Sequence, residues 1–193
     1  MSTKATLDKA AAKIGEVDAA VTDEFAERRH SKPMQLLATA SEIGDQPQLR
    51  LISGAILAAG LFGGKPRLIR AGFRMLLAHE LATAAKNFVK RRVDRTRPRS
   101  AATRGEAKVR PGHNTAKEVT SFPSGHTAGS LAVAQAFARE FPEYRAPALA
   151  AAGFIAVAQI PRCAHYPTDV GAGAVIGGGT EALLAKVWPV DDK

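Results

Sequence analysis

Cysteine is almost missing from this 193-residue chain, with Cys163 as its one example. A lone cysteine excludes an internal disulfide and any cysteine-based zinc cluster. It also excludes a cysteine phosphatase, whose Cys-x5-Arg pattern would need arginine where Asp169 stands. Long hydrophobic runs are missing too. The uncharged apolar stretches at 51–64 and 146–161 are 14 and 16 residues long, short of the roughly 20 that a spanning helix wants. Mean hydropathy is −0.10, low for a polytopic protein. The N-terminal residues have no apolar core of the kind a cleaved secretory signal carries, so none is expected. The Gly-Gly-Lys-Pro at 63–66 is no Walker loop, which would need glycine at Ala59 and Ser or Thr at Pro66.

What is present points to helices. Apolar residues make up 46% of the chain, Ala and Gly are prominent, and β-branched residues are few. The expectation is an all-α fold, a bundle of about five to six helices in one domain. Residues 1–47 are polar, with Ile14, Val17, Val21 and Phe25 at helical spacing, and read as one amphipathic helix. Such a helix covers a core or lies on a membrane surface. The bundle proper occupies 48–193, with helices over 51–64, 68–90, from Ser124 onward, 146–161 and 170–188. Small-residue pairs such as Gly125/Gly129 and Gly173/Gly177 suit close helix packing in lipid or in water. A short-helix membrane protein and a compact soluble bundle both stay open on these grounds.

The net charge of +9 is concentrated. Ten Lys or Arg lie between Lys90 and Lys117 against Asp94 and Glu106, so one segment holds +8 of it. Such a field attracts phosphates on lipids, nucleotides or nucleic acid. The segment has no interleaved aromatics, which disfavours a nucleic-acid binder, and no nucleic-acid partner is expected.

Three short patterns give that charge a chemistry. The first is Lys90-x6-Arg97-Pro98: arginine offers phosphate a planar fork of donors, lysine a mobile point charge. Pro98 disfavours helix at Arg97, so the helix is expected to end there and leave Arg97 at its mouth. The second is Pro123-Ser124-Gly125-His126 before an apolar helical run. Ser124 suits an N-cap, Gly125 lets backbone N–H groups approach an anion, and His126 in the first turn is a candidate proton donor. The third is His165-Tyr166-Pro167-Thr168-Asp169. Here a carboxylate can fix the tautomer of a nucleophilic histidine, or cap the next helix. Each pattern alone also fits a solvated loop or an ordinary capped helix. No metal-ligand spacing joins His113, His126 and His165.

In this order, the three patterns resemble the type 2 phosphatidic acid phosphatase superfamily, which includes lipid phosphate phosphatases, class A acid phosphatases and vanadium haloperoxidases. The family's pattern is Lys-x6-Arg-Pro, Pro-Ser-Gly-His, then Ser-Arg-x5-His-x3-Asp, and the match spans residues 90–169. The resemblance implies a helical bundle with its site at helix ends. It implies His165 as nucleophile forming a phosphohistidine, Asp169 as its orienting partner and His126 as general acid. Lys90, Arg97, Ser124 and Gly125 would hold phosphate, with no metal or other cofactor. It also implies a phosphate monoester or diphosphate of a lipid or isoprenoid as substrate. Association with the cytoplasmic membrane follows, and the +8 loop favours a site on the cytoplasmic face. One position departs. The family's Ser-Arg pair falls on Ala158-Gln159, so a neutral amide replaces a phosphate-binding arginine. Arg162, three residues on, is the candidate replacement. A weakened phosphate-binding pseudoenzyme is the alternative.

Overall fold

The computed structural model describes residues 3–104 and 109–190. Eight α-helices carry the described residues: α1 (Thr3–Ala26), α2 (Lys32–Ser41), α3 (Gln46–Phe62), α4 (Pro66–Lys90), α5 (Pro98–Arg104), α6 (Gly125–Glu140), α7 (Arg145–Ala158) and α8 (Pro167–Val187). The fold is all-α, with two helices more than the expected upper number. The surplus comes from two prolines. Pro33 sits in the first turn of α2 and splits residues 1–47 into two helices instead of one. Pro98 opens the short α5. A small antiparallel pair, β1 (Val93–Arg95) with β2 (Val109–Pro111), is the only sheet among the described residues.

Helix α6 is the central post, with α4, α7 and α8 packed around it and α3 on α4. The core is built from small residues. Ala71, Ala78, Ala82, Ala128, Ala132 and Ala136 are all buried, with Leu49, Met75 and Leu184 filling between them. Large apolar side chains point outward instead: Leu61 and Phe62 on α3, Phe154 and Val157 on α7, Val175 and Leu183 on α8. Charges go inside. Arg74 of α4 and Glu181 of α8 meet at 2.9 Å with both side chains fully buried. Among the described residues one helix, α8, is long and apolar enough to cross a membrane.

The buried face of α1 is the reverse of the one expected. Val17 and Val21 are exposed, Phe25 is half-buried, and the side chain of Ile14 lies outside the described residues. Asp18 and Thr22 face inward. The reason is electrostatic: Asp18 meets Arg95 at 2.5 Å, so α1 turns its polar face to a buried cation at the helix ends.

The α6–α8 contact is close because glycines make it. A Cβ built on Gly177 would lie 2.3 Å from the Ala128 carbonyl oxygen. Gly177→Ala should therefore force the helices apart and destabilise by about 1–3 kcal/mol. Gly179, two residues on, has nothing within 4 Å, so Gly179→Ala should be neutral or stabilising. Thermal unfolding of both variants checks this; equal melting temperatures would contradict the packing.

Candidate functional site

Five helix ends converge at one end of the bundle, and every sequence-marked residue stands there. Helix α4 finishes at Lys90, whose Nζ donates to the Thr120 carbonyl at 2.8 Å. One turn earlier on the same face, Lys86 is almost buried, and its Nζ lies 3.6 Å from where a Cβ on Gly125 would be. Arg97 precedes α5 and is fixed by carbonyls: its Nε donates to Lys117 at 2.7 Å and its Nη1 to Ala164 at 3.4 Å. Burial, with Arg99 nearby, brings its guanidinium down to about 10, which leaves it a cation at any working pH.

Ser124 is buried and caps α6, its Oγ accepting from the Thr127 amide at 3.4 Å and the Thr127 hydroxyl at 3.0 Å. Gly125 and His126 then open the helix, where N–H groups have no intrahelical partner. His126 is largely buried, and its Nε2 has no hydrogen-bond partner among the described residues. The Glu42 carboxylate, on the turn between α2 and α3, stands 4.0 Å from that nitrogen.

His165 is buried in the turn between α7 and α8. Its Nδ1 is 2.7 Å from the Ser121 carbonyl oxygen. A carbonyl can only accept, so Nδ1 carries the proton and Nε2 carries the lone pair. The sequence offered Asp169 either as the carboxylate that fixes the His165 tautomer or as the cap of the next helix. The carboxylate is in fact 3.7 Å from Nδ1, too far for a hydrogen bond. It is taken up elsewhere: the Ser121 hydroxyl donates to it at 2.5 Å, Arg95 Nη1 at 2.6 Å and the Tyr166 amide at 2.9 Å. Asp169 thus caps α8 and holds Ser121, which holds His165.

Gln159 is buried, its amide nitrogen donating to the Ile155 carbonyl at 2.8 Å and its Oε1 unpartnered among the described residues. The fork of Arg162 turns from it to the N-terminal segment, bonding Ser41 Oγ at 2.8 Å and the Glu42 carboxylate. Glu42, Asp45 and His126 could each offer one ligand atom to a cation within 4.8 Å of one another. Glu42 is already paired with Arg162, however, and Asp45 caps α3.

Sequence reasoning missed Lys86, Arg95, Asp18 and Glu42, and gave Ser121 no role. Lys86 had a signal, since it lies four residues before Lys90 on one helix face. Arg95 and Asp18, 77 residues apart, had none.

The family model of the PAP2 superfamily matches residues 71–191. The chain belongs to that superfamily. Among curated proteins it is similar to a lipid A 1-phosphatase of Rhizobium etli, 38% identical over 104 residues, covering 53% of this chain and 44% of that protein. A lipid A 1-phosphatase of Rhizobium johnstonii is 36% identical over 104 residues, covering 53% of this chain and 41% of that one. The matched stretch spans less than half the length of either relative. Among solved structures, a transmembrane PAP2-type phosphatidylglycerolphosphate phosphatase from Bacillus subtilis superposes with a TM-score of 0.62 at 17% identity, over 93% of this chain and 90% of that one. That likeness concerns the PAP2 fold.

Desolvation pushes the His165 imidazole down to about 4, with Asp169 opposing the shift and Arg97 and Lys90 adding to it. The nucleophile candidate is therefore neutral at pH 7. Unfolded, the same ring binds its proton near 6.5. Stability at this site is complete above about pH 6.5 and is lost as pH falls toward 4, because the unfolded chain binds the extra proton first. Histidine NMR signals followed from pH 8 to 5 should leave His165 unshifted. Titration of His165 near 6.5 would contradict the buried geometry.

Proposed function

We propose that this PAP2 protein is a metal-independent phosphatase that removes phosphate from a lipid through a phosphohistidine on Nε2 of His165. The observation that carries the reading is the Ser121 carbonyl on Nδ1, which leaves the lone pair on Nε2 of a ring that feels the charges of Arg97 and Lys90. In the first step Nε2 attacks phosphorus and the bond to the leaving oxygen breaks. His126 gives that oxygen a proton; burial holds its imidazole below the ordinary histidine range, which makes it a ready donor when protonated, and the nearby Asp45 and Glu42 carboxylates oppose that shift. In the second step a water attacks the phosphohistidine, His126 takes the water's proton, and the P–N bond breaks to release phosphate. Lys90, Arg97 and the α6 N-terminus stabilise the charge on the transferring group.

Lys86 takes the place that Gln159 leaves vacant. Its buried ammonium beside Gly125 supplies the cation that the neutral amide lacks, while Arg162 is spent on Glu42. This favours an active enzyme over a phosphate-binding pseudoenzyme.

A lipid substrate fits the reversed polarity of the bundle, with alanines and ion pairs inside and leucines, phenylalanines and valines outside. Exposed apolar area of that extent marks a membrane contact. The similarity to lipid A 1-phosphatases supports a phosphate carried on a lipid. The +8 carried in sequence by residues 90–117, the segment that holds Lys90 and Arg97, favours the cytoplasmic face of the cytoplasmic membrane. A cysteine at exposed Thr115 should resist an impermeant thiol reagent in intact cells and react after lysis. Reaction in intact cells would reverse the orientation.

The full chain should release phosphate from a short-chain phosphatidic acid in excess chelator, and vanadate should block it. His165→Ala should abolish turnover, whereas His126→Ala should spare a nitrophenyl ester more than an alkyl ester. Lys86→Met should lower kcat/KM by about 10²-fold, with partial recovery on adding Gln159→Arg. Activity that needs added magnesium, or that survives His165→Ala, would overturn the reading.

A further inference from the structure

Helices α3 and α7 both pack on α6 but leave a trough between them of about 280 Å³. Its α3 wall is Leu49, Ile52 and Ile56. Its α7 wall is lined by Ala148, Ala151 and Ala152, whose short side chains are what keep the trough open. Val133 and Phe137 of α6 form the floor. The one hydroxyl there, on Ser130, is already bonded to its own helix at Thr127.

The trough begins beside the phosphate site. Ser130 lies one helical turn beyond His126 on α6, about 6 Å along the axis. Ile43, at the near end, follows Glu42, which stands 4.0 Å from His126. Ile155 closes the same end one turn before Gln159, in the space that a side chain on Gly44 would fill, its Cγ2 only 2.3 Å from that absent Cβ.

We propose that this trough binds the hydrocarbon chain of the phosphorylated substrate, with the chain running down α6 from a phosphate held at His126 and His165. The proposal rests on the lipid-phosphatase reading and names the substrate class: a phosphate ester with an acyl or alkyl tail close to its head. The lining decides the occupant. A peptide would bury N–H and C=O groups with no partner there, which is costly. A helix from a second copy, about 10–12 Å across, does not fit. Hydrocarbon makes no polar demand, and about 280 Å³ is many times the space that one solvent-sized group needs.

The test uses the full chain in bilayer nanodiscs with decyl phosphonate carrying a diazirine at the tail end. After irradiation, mass spectrometry should place adducts within 130–137 and 148–155, and inorganic phosphate should compete them away. Ala148→Phe and Ala151→Phe fill the trough from its more exposed wall. Each should cut that labelling about tenfold, equivalent to expelling two buried methylenes, while ethyl phosphonate affinity stays unchanged and reports an intact fold. Adducts confined to outward residues such as Phe154 or Val175, or equal labelling in the Phe variants, would overturn the proposal. Trough adducts in a chain that hydrolyses no phosphate ester would sink the catalytic reading and leave the hydrocarbon site standing. Hydrolysis with no trough adducts would do the reverse.

Discussion

The Asp169 carboxylate is fully buried, and three donors reach it from three parts of the chain. The Ser121 hydroxyl comes from the loop before α6, Arg95 from β1, and the Tyr166 amide from the start of α8 itself. Burying one charge this way is tolerable only while each partner stays in place; removal of one partner of a buried pair typically costs about 3–5 kcal/mol. Through Ser121 the carboxylate sets His165 without touching it, and through Arg95 it ties in Asp18 of α1. Arg95 also lies over the Tyr166 ring, 4.2 Å from its centroid, a cation–π contact that adds to its ion pairs. The site is therefore a single polar network in which tautomer, helix cap and N-terminal helix are fixed together.

The bundle below is built to bring those helix ends close. Alanine and glycine at the contacts let backbones approach, and the cost is a core with little large apolar area. The compensation lies in buried ion pairs such as Arg74–Glu181, with Arg139 also reaching Glu181 at 3.3 Å. Large side chains displaced from the core end on the outer surface, where a lipid phase would accept them. The same shortage of bulk on α7 produces the trough beside α6.

How much of this was legible depends on sequence separation. Ser124 as a cap and Asp169 at the start of α8 are local events, written in Pro, Gly and Ser next to apolar runs, and they read correctly; Arg97 is out of helix as expected, but it precedes α5 and does not end α4, which stops at Lys90. The bundle class followed from composition in the same way. Local reading failed where a distant partner decided. The stripe Val17, Val21 looks like a core face, but Asp18 is drawn inward by Arg95, which no window around α1 contains. Arg162 looked free to approach phosphate until Ser41 and Glu42, some 120 residues away, took its fork. The break in the N-terminal segment was readable at Pro33, since proline in a first turn marks a new helix.

The account turns on one atom, Nε2 of His165, so the decisive measurement is where phosphate goes. Turnover of a lipid phosphate should be quenched in alkali within milliseconds and the chain digested for mass spectrometry, with phosphorus NMR to distinguish the two ring positions. The account predicts an acid-labile, alkali-stable phosphoryl group on His165, attached at Nε2 because Nδ1 is engaged by the Ser121 carbonyl. Phosphate on Nδ1, on His126, or on no residue during active turnover would contradict it.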